Sequence, residues 1–333
     1  MQPLKLISFG LLIAVCGIIH AKDGTMAKGD YTGRDDVQMF IKKMHNEHGM
    51  PEQQLNEYLN RASRQDRILE LMRKPAEGKD WSEYRPIFLT DKRIQAGVAF
   101  WDKHAKVLQR ASKQYGVPQE IIVAIIGVET FYGTRMGRFS VLDALATLGF
   151  DYPPRGKFFA NELAQFLLLV QEEAIDPFEV LGSYAGAMGM GQFIPSSYRR
   201  YTVDFDGDGK RNLWNSPPDG IGSVANYFKT HKWKTGEPII QLADVRGKKH
   251  QQLKANGRKL RYSKAELKAA GITSRGAVEN DEKLVFLNLQ GESGAEHWVG
   301  HHNFFVITEY NHSVKYALAV YQLGEAIKIA RKN

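Results

Sequence analysis

The run Ile121-Ile122-Val123-Ala124-Ile125-Ile126-Gly127-Val128, closed by the acid Glu129, constrains this chain more than any other passage. Pro118 suits the first turn of a helix, because its missing N–H is one that a helix start leaves unpaired anyway. Gln119 and Glu120 favour the positive end of the same helix. A helix apolar on every side has no face for water, so it must lie inside a shell of other elements. Glu129 sits one turn after Ile125 and Ile126, on their face. Burial there raises a carboxyl's pKa, keeping it protonated near neutrality and able to donate a proton. The alternative is a core glutamate paired with Arg135 or Arg138.

The shell is legible as amphipathic helices. Val37, Phe40, Ile41 and Met44 follow helical spacing up to Gly49-Met50-Pro51, and Leu55, Tyr58, Leu59 and Ala62 repeat it. Ile94, Val98, Trp101, Ala105 and Leu108 form a stripe ended by Gly116 and Pro118, and Phe159, Leu163, Phe166, Leu167 and Val170 form another. From about Thr235 to His301 the pattern changes. Leu284-Val285-Phe286-Leu287 and, just beyond, Phe304-Phe305-Val306-Ile307 are short β-type runs among Gly-rich turns. After His312 a last helix carries Tyr316, Val320, Leu323 and Ile327. The expected fold is mainly α with a small β-rich insert.

With 333 residues the chain can build two or three packed units. A net charge of +8 favours an anionic partner: nucleic acid, lipid surface or acidic polymer. Nine Lys or Arg lie between Arg246 and Lys268, either as a solvated basic face or as a patch that steers a polymer. Cys16 is the one cysteine, so disulfide scaffolds, zinc ribbons and thiol catalysis are excluded downstream. Leu6 to Ile19 is an apolar run of 14, interrupted only by Ser8 and preceded by Lys5, the length of a signal-peptide core. Cleavage after Ala21 is expected, and lipidation at Cys16 is the alternative, weakened by bulky Val15. The expected divisions are a signal peptide over 1–21, a linker over 22–33 and a helical domain over 34–115 on which 145–180 packs. A core over 116–234 and 302–333 and a small β domain over 235–301 complete the chain.

Three further passages carry chemistry. In Asp204-Phe205-Asp206-Gly207-Asp208-Gly209-Lys210, carboxylates alternate and a glycine stands sixth, matching the opening of an EF-hand loop. Position twelve is Asn215 instead of a bidentate Glu, so closure falls to Asp219 in a longer loop. An Asp/Gly-rich turn without metal is the alternative. Ser183 to Phe193 is rich in Gly and Ala and lacks dinucleotide-binding spacing; it permits close backbone approach to another helix or to a ligand, with Gln192 offering donor and acceptor. Tyr310-Asn311-His312-Ser313 combines aromatics with an amide, as a sugar platform requires, or simply starts a packed helix. No H-E-x-x-H, G-x-S-x-G or Walker loop occurs.

Together these passages resemble the lytic murein transglycosylase B family of bacterial cell-wall enzymes, from about Asp35 onward. The resemblance rests on Gly127-Val128-Glu129-Thr130-Phe131-Tyr132-Gly133, Gln192-Phe193-Ile194-Pro195-Ser196-Ser197, the Asp204 loop, Ile221-Gly222-Ser223-Val224-Ala225-Asn226-Tyr227, and Tyr310-Asn311-His312-Ser313. It implies a lysozyme-like core with an EF-hand-type loop, cleaving the β-1,4 bond between N-acetylmuramic acid and N-acetylglucosamine to leave a 1,6-anhydro end. Glu129 then matches the single catalytic acid, and Tyr84, Ser183, Gln192, Tyr227, Tyr310, Asn311 and Tyr316 match groove residues. Asp204, Asp206, Asp208, the Lys210 carbonyl and Asp219 match ligands of a structural Ca²⁺; Asp206 stands where some relatives carry Ser. The implied partners are peptidoglycan strands and other wall enzymes in the periplasm, not nucleic acid, with membrane attachment only through a lipidated Cys16. The rival readings are a hydrolytic muramidase using the same acid and a water, and a wall- or calcium-binding module without activity.

Overall fold

The computed structural model describes residues 29–73, 79–278 and 282–333. The expected signal segment, with Cys16 and Ala21, lies outside the described residues. Helices α1 (Asp35–His48), α2 (Glu52–Arg61) and α3 (Asp66–Met72) open the described chain, and α4 (Trp81–Phe88), α5 (Asp91–Lys103) and α6 (Ala105–Tyr115) follow. The central helix α7 (Gln119–Thr130) buries Ile121 through Val128 without exception. It is held by α5, α6, α11 (Pro217–Thr230) and α14 (Val314–Lys332). Glycines let these neighbours approach, since Gly324 of α14 leaves room for the Glu120 carbonyl of α7.

Helices α8 (Val141–Asp151) and α9 (Gly156–Glu173) form an antiparallel pair that meets the amino-terminal helices. Tyr31 and Arg34 both bond Asp151, while Thr147 and Asp143 take the Gln65 and Ser63 amides, so polar ties close this seam. Helices α5 and α6, which the sequence grouped with the first helices, pack instead on α7, α11 and α14. Their buried Gly97, Trp101 and Leu108 face that core, and the Trp101 indole donates to Gln119 at 3.0 Å.

Strands β1 (Phe139–Ser140) and β2 (Leu181–Gly182) make a short antiparallel pair, and α10 (Pro195–Tyr201) follows. The insert is an antiparallel sheet of β3 (Ile240–Val245), β4 (Ile272–Ser274), β5 (Val285–Gly291) and β6 (Gly294–Gly300), in the order β4-β3-β6-β5. One short helix, α12 (Lys264–Ala269), covers a small core of Leu267, Ile272, Leu284, Phe286 and Val299. The expected β-type run Phe304–Ile307 is helical, within α13 (His302–Tyr310). An apolar run that short has no period to separate a buried strand from a buried helix. Packing decides it, with Phe304, Val306 and Ile307 all entering the main core.

A Cβ at Gly127 would lie 2.6 Å from the Tyr132 hydroxyl and 2.7 Å from its ring. That ring cannot swing away freely, because its hydroxyl donates to the Arg93 carbonyl at 2.9 Å. Gly127→Ala should therefore cost about 1–3 kcal/mol through overpacking, lowering the melting temperature by several degrees in a calorimetric scan.

Candidate active site

Glu129 ends the buried helix α7, and the chain turns sharply after it. Phe131 and Tyr132 both adopt left-handed backbone, at φ 50° and 60°, a conformation costly for large side chains that stores strain beside a site. Thr130, fully buried, donates from Oγ1 to the Met190 carbonyl at 2.9 Å. That bond fixes the end of α7 to the Gly-rich segment 183–193.

The segment is a chain of turns, not a helix-packing stripe. Met188 bridges Gly182 on one side and Phe193 on the other. Gly189 has φ 65°, and a Cβ there would fall 2.4 Å from Leu213, so no other residue fits. Gln192 also has φ 51°, and its amide nitrogen donates to the carbonyls of Met136 at 3.1 Å and Gly189 at 2.9 Å. Ser183 accepts from the Ala187 amide at 3.0 Å, closing the first turn.

Carboxyl-terminal helices supply tyrosines. Tyr316 donates to Glu129 Oε1 at 2.5 Å. Tyr310 donates to the Gly191 carbonyl at 2.6 Å, and its ring meets Tyr227, Phe193 and Phe228. Tyr227 is buried and donates to the Glu309 carbonyl at 2.6 Å. Tyr84 packs against Trp81 and Phe88 and faces a cavity that Ser313 and Lys315 also line, at the start of the helix that carries Tyr316. Thus Glu129, Gln192, Tyr227, Tyr310, Tyr316 and Tyr84 gather in one region, with Ser183 on the same looped segment. Asn311 lies exposed just beyond α13.

Burial pushes the Glu129 carboxyl from 4.5 up to about 7, and the Tyr316 hydroxyl bond pulls the other way. Glu129 as a residue is half-buried, and its carboxyl is enclosed by protein. No ion pair involves Glu129 among the described residues, which removes the arginine-paired reading; Arg135 instead lies over the Phe131 ring at 4.9 Å. Tyr310 and Tyr316 are raised well above 10 by burial and by Glu129, so both stay neutral donors.

A family model described as the transglycosylase SLT domain matches residues 32–325.

The chain belongs to that family of lytic transglycosylases.

Membrane-bound lytic murein transglycosylase B of Escherichia coli (strain K12) is 47% identical over 313 residues, covering 91% of this chain and 85% of the relative. Catenated lytic transglycosylase SltB1 from Pseudomonas aeruginosa superposes with a TM-score of 0.88 at 50% identity, over 91% of this chain and all of that one. Escherichia coli lytic transglycosylase Slt35 in complex with calcium gives 0.86 at 47%, over 92% of this chain and 96% of that one. The protein is an enzyme, a peptidoglycan lytic transglycosylase with a lysozyme-like core.

Away from the lytic transglycosylase's carboxyl, one oxygen from each of Asp204, Asp206 and Asp219 falls within 4.8 Å of the others. Asp219 is buried and accepts the Phe205 and Asn212 amides at 2.7 and 2.8 Å. Asp208 stands apart from this trio, accepting the Lys210 amide at 2.8 Å. Three converging carboxylates, one of them desolvated, suit a hard dication with oxygen ligands. Two further residues shape the site without a signal of their own chemistry in the motifs. Thr130 is the first, through its bond to Met190. Glu162 is buried and takes both the Ser196 amide at 2.9 Å and its hydroxyl at 2.8 Å, anchoring the chain after Gln192. The signal for Glu162 lies outside the motifs: it follows Phe159 by three and precedes Phe166 by four, an acid on an apolar face.

Raising the folded-state value of Glu129 means that its favourable contribution is complete below about pH 4.5 and fades as the pH rises through about 7. Activity that needs the protonated acid should fall in the same direction. In Tyr316→Phe the bond favouring the carboxylate is gone, so the descending limb of kcat/KM should move up by about one pH unit. Comparison of the two pH–rate profiles checks this.

Proposed function

We propose that this lytic transglycosylase cleaves the β-1,4 bond between N-acetylmuramic acid and N-acetylglucosamine with Glu129 as the single acid and base, leaving a 1,6-anhydro end. The observation that carries the reading is the isolation of that carboxyl. Among the described residues the Tyr316 hydroxyl is its one side-chain hydrogen-bond partner, and it joins no ion pair. Ordinary glycosidases work with a pair. Here protonated Glu129 gives its proton to the glycosidic oxygen as the C1–O bond breaks, releasing the N-acetylglucosamine hydroxyl. The muramoyl acetamido oxygen bonds to C1 and holds the positive charge. Glu129, now a carboxylate steadied by Tyr316, takes the C6 hydroxyl proton while O6 bonds to C1 and displaces the acetamido oxygen. The nucleophile is carried by the substrate, so a high effective molarity replaces water.

Tyr84, Ser183, Gln192, Tyr227, Tyr310, Asn311 and Tyr316 are the proposed groove residues. Tyr227 and Tyr310 have their hydroxyls committed to backbone carbonyls, so they act by ring face and by fixing the walls. Export to the periplasm, with cleavage near Ala21 or lipidation at Cys16, is proposed from the amino-terminal sequence. No helix among the described residues is long and apolar enough to cross a membrane. Contact with other wall enzymes is proposed on the family resemblance.

Asp204, Asp206 and Asp219, with the Asp208 carboxylate and the Lys210 carbonyl as further candidates, would hold a structural Ca²⁺. The ion would supply charge neutralisation to the loop and no chemistry at the glycosidic bond. The relative that binds calcium and the geometry of the three carboxylates both support this.

Digestion of wall in heavy-oxygen water should give muramoyl ends that are one water lighter than hydrolytic ends and carry no label. Glu129→Gln should lower turnover by about 10²–10⁴-fold with binding retained. Stoichiometric label would establish hydrolysis. Calcium at about 100 times its dissociation constant should add roughly 2.7 kcal/mol of stability, seen as a higher melting temperature after chelation and re-addition. Asp206→Ala should lose that shift.

A further inference from the structure

A cavity of about 350 Å³ opens between α4, the β insert and the start of α14. Tyr84 forms one wall, Asn256 and Arg258 of the insert another, and His312, Ser313 and Lys315 a third. Lys315 directly precedes Tyr316, Ser313 accepts the Tyr316 amide at 3.3 Å, and the Tyr316 hydroxyl donates to Glu129. The cavity therefore adjoins the Glu129 carboxyl through the first turn of α14.

Its charge is one-sided. No carboxylate lines it. Arg258 is ion-paired with Glu309 and donates to Thr308 Oγ1 at 3.2 Å, so its charge is already matched. Lys315 donates only to the backbone carbonyl of Lys79 and has no carboxylate partner among the described residues. An ammonium beside a cavity with no counter-ion attracts an anion, and the nearby amino terminus of the 19-residue α14 adds positive potential.

We propose that this cavity receives a carboxylate carried on O3 of the muramoyl residue, with Lys315 as its counter-ion. The inference rests on the peptidoglycan reading above. It gives the β insert a task in recognition, since Asn256 and Arg258 close the cavity from that side. It also separates a muramoyl unit from an N-acetylglucosamine unit, which has a plain hydroxyl at O3. Two sources share this chemistry: the lactyl carboxylate of a bare muramoyl residue, and the carboxylates of the peptide attached to it.

Three ligands distinguish them by calorimetric titration of Glu129→Gln and of Glu129→Gln/Lys315→Gln. These are chitobiose, the disaccharide N-acetylglucosaminyl-N-acetylmuramic acid, and that disaccharide carrying L-alanyl-D-glutamate. Loss of Lys315 should weaken at least one of the two anionic ligands about tenfold and leave chitobiose unchanged. Weakening confined to the bare disaccharide assigns the lactyl group; weakening confined to the peptide-bearing one assigns the peptide; weakening of both assigns either source. Equal weakening of all three, or of none, overturns the proposal. The titrations read binding alone, so they stand apart from the product test of the cleavage reaction.

Discussion

The structure depends on keeping one carboxyl in an apolar place without neutralising it by an arginine. Ile121 to Val128 are buried all along α7, and Glu129 emerges at its end where the chain turns through two strained residues. Burial alone favours the neutral acid. The Tyr316 hydroxyl favours the carboxylate. Their opposition places the group near neutrality, as the proposed mechanism asks of one side chain that gives a proton and then takes one. An arginine in the same place would hold the group ionised and remove its use as an acid.

Much else serves to keep that balance in position. Thr130 ties the end of α7 to Met190, Tyr310 ties Gly191 to the carboxyl-terminal helices, and Glu162 ties Ser196 to α9. These bonds connect segments far apart in sequence, so the region around Glu129 is held from three directions. Such buried polar bonds cost little when satisfied and much when one partner is lost, which holds the segment from Gly189 to Ser196 in place beside Glu129.

The sequence carried more of the site than of the fold's details. Glu129 was legible as an acid ending a buried helix because one acid closing an apolar run is rare in a core, and the Asp204 loop as a carboxylate cluster because its acids alternate, although Asp208 stands apart from Asp204, Asp206 and Asp219. Tyr316 is a different case. Its residue was marked by resemblance, but a bond across 187 positions follows from the packing of α14 on α7 and leaves no local pattern. Phe304–Ile307 reads as β-type in the sequence because four apolar residues have no period, and packing makes it helical. Segment 183–193 invited a helix-packing reading because small residues serve tight turns and tight helix contacts alike; Gly189 and Gln192 in left-handed conformation settle it as turns. The placing of α5 and α6 on the core depends on Gly97 and on tertiary contacts that spacing does not encode.

Burial against a single hydroxyl poises Glu129 near neutrality. Carbon-13 NMR of the glutamate side chains, with Glu129 assigned by comparison with Glu129→Gln, measures this directly. A carboxyl that titrates at about 7 is expected. Titration at the ordinary carboxylate value near 4.3 would mean that the group is ionised throughout the working range, and would contradict its role as the acid.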